Sequence, residues 1–124
     1  MRGKATANHW ANDSVYVQFD RSVDQAAVPR FRIGTTSAAT YTLEDCSGCG
    51  VSGWGWEDDG WGARNANGML LRFPDGGYQT IRIQIREDGV SFDQIVLSAG
   101  QYLTTRPGAA KNDTTVLRLT QEPE

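Results

Sequence analysis

The sequence predicts an all-β domain, a β-sandwich of the jelly-roll kind. Three observations carry that expectation. Several short segments alternate apolar and polar residues, turn-forming residues stand between them, and no window shows a convincing helical period. In order along the chain, "SVYVQFD" sets Val15, Val17 and Phe19 against Tyr16, Gln18 and Asp20, and "RFRIG" sets Phe31 and Ile33 against Arg30 and Arg32. "TYTLED" repeats the pattern with Tyr41 and Leu43, and "MLLRF" with Met69, Leu71 and Phe73. It is clearest in "QTIRIQIRED", where Ile81, Ile83 and Ile85 alternate with Arg82, Gln84 and Arg86. Each of these reads as a strand with one dry face and one wet face. "SFDQIVLS" is more uniformly apolar and predicts a more buried strand. The turn signals "PDGGY" (Pro74 to Tyr78) and "EDG" (Glu87 to Gly89) fall where hairpins need them.

A chain of 124 residues makes one domain and buries roughly two thirds of its unfolded surface, so neither a metal nor a disulfide is obligatory for a core. The sandwich is expected over residues 1–98. From Ala99 the composition changes, and residues 99–124 read as a linker or tail in which "TTVLRLT" is a candidate edge strand. The net charge of -3, the pI of about 5.1 and the scatter of the twelve Lys and Arg provide no basic face, which argues against a nucleic-acid partner. No apolar run is long enough to span a membrane, and "MRGKATANHW" lacks the apolar segment of a signal peptide.

The chemistry is expected in "GWGWEDDGWG", Gly53 to Gly62, which holds three of the four tryptophans and three acids. In an extended segment Trp54 and Trp56 project from the same face, with Trp61 following after the acids. One or two of these rings are accounted for equally well as core closing the end of the sandwich. The functional reading is a sugar site. The apolar face of a pyranose stacks on an indole, while Glu57, Asp58 and Asp59 supply acceptors for its hydroxyls. "TANHWAND" adds Trp10 and His9 among Asn8, Asn12 and Asp13. His9 is the one histidine and lacks a second to complete a conventional metal site, so a loop or hydrogen-bonding role is expected. Cys46 and Cys49 form a CxxC with no further ligands at short spacing. A disulfide stiffening the turn, reduced structural thiols, and metal or redox chemistry all remain open, and a disulfide implies an oxidising compartment. Adjacent acids such as Asp58 with Asp59 or Glu87 with Asp88 are usually solvated, and no nucleophile signature accompanies them, so no enzymatic activity is expected.

"YQTIRIQIREDGVSFDQIVLS", Tyr78 to Ser98, resembles the closing hairpin of the galactose-binding-like β-sandwiches, namely the carbohydrate-binding modules of families 6 and 35 and the malectin-like domains. "RGKATANHWANDSVYVQFD" is similar to an earlier strand, loop and strand of that superfamily, and "SGWGWEDDGWG" to its tryptophan-bearing segment, so the likeness covers Arg2 to Ser98. The resemblance implies a non-catalytic carbohydrate-binding module in a secreted or extracellular bacterial setting. Trp10, the Trp54 to Trp61 segment and the Glu87 to Gly89 turn would then gather at one loop end, with Asp88 joining Asp58 and Asp59 as a hydroxyl acceptor. It also implies that Asp93 matches an acid that often helps bind a structural calcium; unpaired among apolar neighbours it would be costly, so a partner or an ion is expected there. The family's N-terminal segment, with its first strands and the acidic partners of that calcium, has no counterpart ahead of "MRGKA". The expected consequence is a trimmed sandwich, or one whose gap is filled by the tail strand "TTVLRLT" or by a second copy of the chain; of these a homo-oligomer is the expectation. The alternative to sugar binding is therefore a self-associating assembly domain.

Overall fold

A computed structural model of the chain describes residues 1–7, 9–43, 52–57, 70–102 and 105–118. Among these the chain forms β1 (Arg2–Ala5), β2 (Ser14–Phe19), β3 (Ala39–Thr42), β4 (Trp54–Trp56), β5 (Ile81–Ile85) and β6 (Val90–Gln94), with one 3₁₀ turn at Trp10–Asn12. Antiparallel pairing sorts the strands into two three-stranded sheets, in the orders β4-β1-β6 and β3-β2-β5. No helix among the described residues is long and apolar enough to cross a membrane.

One core joins the sheets, an arrangement consistent with a β-sandwich. Val15, Val17 and Phe19 of β2 and Ala39 and Tyr41 of β3 are buried together with Phe31 and Leu43, and Ala5 of β1 and Val90 of β6 pack against them from the other sheet. Alternation makes this possible: every second residue of β2 points inward, and each such side chain gains about 1.5–3 kcal/mol by leaving water. Tyr41 crosses the gap between the sheets. A Cβ on Gly3 would stand 2.5 Å from its Oη, so β1 carries a residue without a side chain where the ring arrives. Gly3 therefore faces the core, and Arg2 and Lys4 face outward.

Four expectations are corrected by this arrangement. "RFRIG" is not a strand. Phe31 adopts φ 61, and side-chain hydrogen bonds rather than a ladder hold the segment: Ser22 Oγ donates to Arg30 O at 2.7 Å, and the Arg32 guanidinium reaches out of the segment to Phe19 O at 2.7 Å and Ser22 O at 3.0 Å. The positive φ turns Phe31 inward, where it meets Phe19 edge-on at 6.2 Å. "MLLRF" provides only a single bridge, from Arg72 to Val23, although Leu71 and Phe73 do pack on the core; Met69 lies outside the described residues.

The third correction concerns the Glu87 to Gly89 turn, where Gly89 supplies the positive φ of 89. It does not close a hairpin. β5 pairs with β2 and β6 with β1, so the turn carries the chain from one sheet to the other. The fourth is that β6 is not a deeply buried strand. Both β5 and β6 stand at the edges of their sheets, and burial falls off toward them: the cross-strand row Tyr41, Val15, Ile85 runs from 0% through 4% to 72% exposed, and Phe92 of β6 is 41% exposed.

The opposite edge is covered. Residues 109–113 lie along β4, with Trp56 N donating to Ala109 O at 2.9 Å and Asp113 N to Trp54 O at 2.8 Å. Among the described residues the tail thus supplies an edge partner through "AAKND", while residues 114–118 of "TTVLRLT" form no strand. A Cβ on Gly55 would come within 1.8 Å of Ala110 O, so the close approach depends on that glycine.

Candidate functional site

Trp10 opens the 3₁₀ turn and is 69% exposed. His9 caps the turn. Its Nδ1 accepts from Ala11 N at 3.1 Å, and its ring lies 5.2 Å from the Trp10 ring at 31°, so the imidazole is used locally to hold the turn and the indole. The loop is braced against the Glu87 to Gly89 turn. Thr6 N and Thr6 Oγ1 both donate to Gly89 O at 2.7 Å, and Glu87 Oε2 accepts from Asp13 N at 3.1 Å and from Ser14 Oγ at 2.9 Å. Arg86 closes the cluster, donating to Glu87 Oε1 at 2.5 Å and to Ser14 Oγ at 2.7 Å. Partial burial works to raise the Glu87 pKa, but hydrogen bonds from Asp13 and Ser14 and the Arg86 charge outweigh it and hold the carboxyl below the ordinary glutamate value. Asp88, between Glu87 and Gly89, is exposed on the turn this network fixes.

Trp54 pairs with Lys4 on β1, one residue before the strand runs on through Ala5 into the Trp10 loop, so its backbone lies at that end of the β4-β1-β6 sheet. The ring is half-buried, with the Arg2 guanidinium 4.8 Å from its centroid. Trp56 is different. It is 1% exposed, and its Nε1 donates to Thr115 O at 3.0 Å, so the tail covers it and no face is left for a sugar; this corrects the expectation that it stacks. Glu57 also leaves the proposed rim. It is 4% exposed, pairs with Arg106 at 2.8 Å, and its backbone clasps Met1 in both directions at the far end of β4. Asp58, Asp59, Trp61, Cys46 and Cys49 lie outside the described residues.

Asp93 is exposed on β6 rather than enclosed by apolar neighbours, and its partner is a side chain: Arg2, 5% exposed, donates from Nη1 to Asp93 Oδ2 at 2.5 Å and from Nη2 to Asp113 O at 3.1 Å. Sequence reasoning missed Arg2, Arg106 and Asp113. Arg2 and Lys4 alternate about Gly3 like any exposed pair, and only the tail lying over one of them separates their fates. Two grooves among the described residues are lined by no tryptophan. One, of about 290 Å³, is lined by Phe31, Ser37 and Thr40; the other, of about 460 Å³, by Val23, Gln25 and Leu71. The Trp10 turn is braced against the Glu87 to Gly89 turn and presents its indole to solvent.

Compared with family models, with curated proteins and with solved structures, the chain matches none.

Proposed function

We propose that this domain is a non-catalytic carbohydrate-binding module that holds a glycan against its Trp10 end. One observation carries the reading: an indole that is 69% exposed stands on a turn fixed by hydrogen bonds to the neighbouring loop, with the exposed carboxylate of Asp88 on that loop. An exposed indole held still is what a sugar face needs, because the ordering cost is met before the ligand arrives. Trp54, half-exposed at the same end of its sheet, is the second stacking candidate, and Asp58, Asp59 and Trp61 remain part of the proposal from the sequence. The topology that goes with this reading is the galactose-binding-like jelly roll, and the setting is extracellular. The test is a glycan array followed by titration with the best hit. Trp10→Ala is expected to weaken binding about tenfold or more, the equivalent of about 1.4 kcal/mol, with an unchanged melt. Undiminished binding by Trp10→Ala and Trp54→Ala alike would remove the reading, and turnover of polysaccharide by the purified domain would replace it with a catalytic one.

A second reading, self-association into a homo-oligomer, is favoured by a separate observation. Strands β5 and β6 are both sheet edges, and Ile85 and Phe92 stand exposed beside them. Such edges offer backbone groups to another copy. A monodisperse monomer by light scattering at high protein concentration, with a cooperative melt, would rule this out without touching the sugar reading.

A further inference from the structure

The superfamily resemblance implies a structural calcium at Asp93, and the residues around that carboxylate do not suit one. Calcium takes six to eight oxygen ligands, several of them carboxylates. Here Asp93 Oδ2 and Asp113 O, both oxygens of the kind calcium takes, are already bound by the two terminal nitrogens of one guanidinium. Among the described residues no group of three or more acids, histidines or cysteines is placed to hold a metal.

We infer that Arg2 is a built-in cation: its guanidinium does what a bound metal ion would do there, tying β6, β1 and the tail together, and the domain folds without calcium. The inference is independent of the sugar reading. Three contacts from three parts of the chain converge on this group, namely Asp93 of β6, the Asp113 carbonyl of the tail, and the face of Trp54 at 4.8 Å. The planar fork suits that arrangement. Two nitrogens reach two acceptors in different segments while the guanidinium carbon lies over an indole ring, a set of contacts that a rigid fork holds better than an ammonium on a flexible stem. Arg2 Nε is buried with no hydrogen-bond partner among the described residues, so the group does not owe its place to a complete set of hydrogen bonds. Its charge is what answers Asp93, and a divalent ion beside it would be repelled. Asp113, two residues before the Thr115 carbonyl that binds Trp56, is the tail's anchor. Its own carboxylate accepts from Ala109 N at 2.7 Å and Thr115 N at 2.6 Å, which shapes the loop so that its carbonyl points to Arg2.

The experiment is a thermal melt of the full chain with excess calcium chloride and again after chelation, followed by the same melts on variants. The wild type is expected to melt at one temperature in both conditions; a calcium-dependent rise would overturn the proposal outright, whatever the variants do. Arg2→Met, which keeps most of the volume and removes the charge, is expected to lower the melting temperature by about 10 °C or more, with Arg2→Lys between it and the wild type. Asp93→Asn in the Arg2→Met background is expected to cost less than it does in the wild type, because the charge it would leave unpaired is already gone. Arg2→Met no less stable than Arg2→Lys, or full additivity with Asp93→Asn, would show that Arg2 only fills space. Should Arg2→Met fail to fold, the calcium melts of the wild type and of Asp93→Asn still decide.

Discussion

Trp10 and Trp56 are the same side chain in two opposite situations. Both stand in polar, loop-like stretches that composition treats alike, yet one is 69% exposed and the other 1%. The difference lies in what crosses over each ring. Trp10 sits on a turn whose bonds run sideways, to Gly89 and Glu87, and leave the indole uncovered. Trp56 sits on a strand whose outer face is overlaid by residues more than fifty positions later in the chain, with its ring nitrogen bonded to Thr115 O. Tryptophan count is therefore a poor guide to a stacking platform; whether a later segment lies on the ring decides it.

The largest effect expected from breaking this contrast is at Trp56. Trp56→Ala removes a fully buried indole and leaves a cavity beneath the tail, at a cost of about 3–5 kcal/mol, read as an early melt in calorimetry or denaturant titration. Trp10→Ala at the exposed site is expected to change stability by no more than about 0.5 kcal/mol. Equal losses at the two positions would mean that the Trp10 turn is packed in solution and that the contrast is false.

A smaller effect is expected from the brace under Trp10. Glu87→Ala strips acceptors from Asp13 N and Ser14 Oγ, which should cost about 1–3 kcal/mol and loosen the turn, seen as a more mobile Trp10 by fluorescence anisotropy. The pH dependence has a definite sign. Glu87 has its pKa lowered in the fold, so its contribution is fully present above the ordinary value of 4.5 and is lost as pH falls through the lower folded value. Melting temperature should drop in that acid range in the wild type and more weakly in Glu87→Gln. An identical acid limb in both would place the titrating group elsewhere.

Much of this was legible in the sequence, and the part that was not shares one cause. Val15, Val17 and Phe19 announced β2, and Ile81, Ile83 and Ile85 announced β5, because a period of two is a local property of the chain. The closeness of Trp10 to the Glu87 to Gly89 turn also followed, through the resemblance. Local pattern could not say that "RFRIG" folds back on itself, since its alternation is real while Arg30 O is bound by Ser22 and the Arg32 side chain is tied to the carbonyls of Phe19 and Ser22. Nor could it say that the Glu87 to Gly89 turn changes sheets, or that "AAKND" would dock on β4. These are decided by pairing between distant segments, and the residues most affected, Arg2, Trp56 and Glu57, are those whose burial the tail determines.

The smallest effect separates packing from polarity in the core itself. Tyr41 is fully buried, and among the described residues its Oη has no hydrogen-bond partner. Burial pushes its pKa far above the usual tyrosine value; the nearby Glu57 and Asp93 charges raise it further, and Arg2 lowers it in part. Burial thus favours the neutral phenol, and its hydroxyl contributes shape rather than charge. Leaving a hydroxyl unpaired in an apolar interior costs about 1–3 kcal/mol. Tyr41→Phe deletes it and keeps the ring that spans the sheets against Gly3, so the change should be neutral or stabilising by up to about 1 kcal/mol, measured as the shift in denaturant midpoint at constant slope. Gly3→Ala attacks the same contact from the other side. Its new methyl would lie 2.5 Å from Oη and 2.9 Å from Cε1 of Tyr41, so part of the clash is with the hydroxyl and part with the ring. Combined with Tyr41→Phe, Gly3→Ala should cost less than in the wild type but still more than nothing. Equal cost in both backgrounds would mean that the ring alone, and not the hydroxyl, sets how closely the two sheets approach.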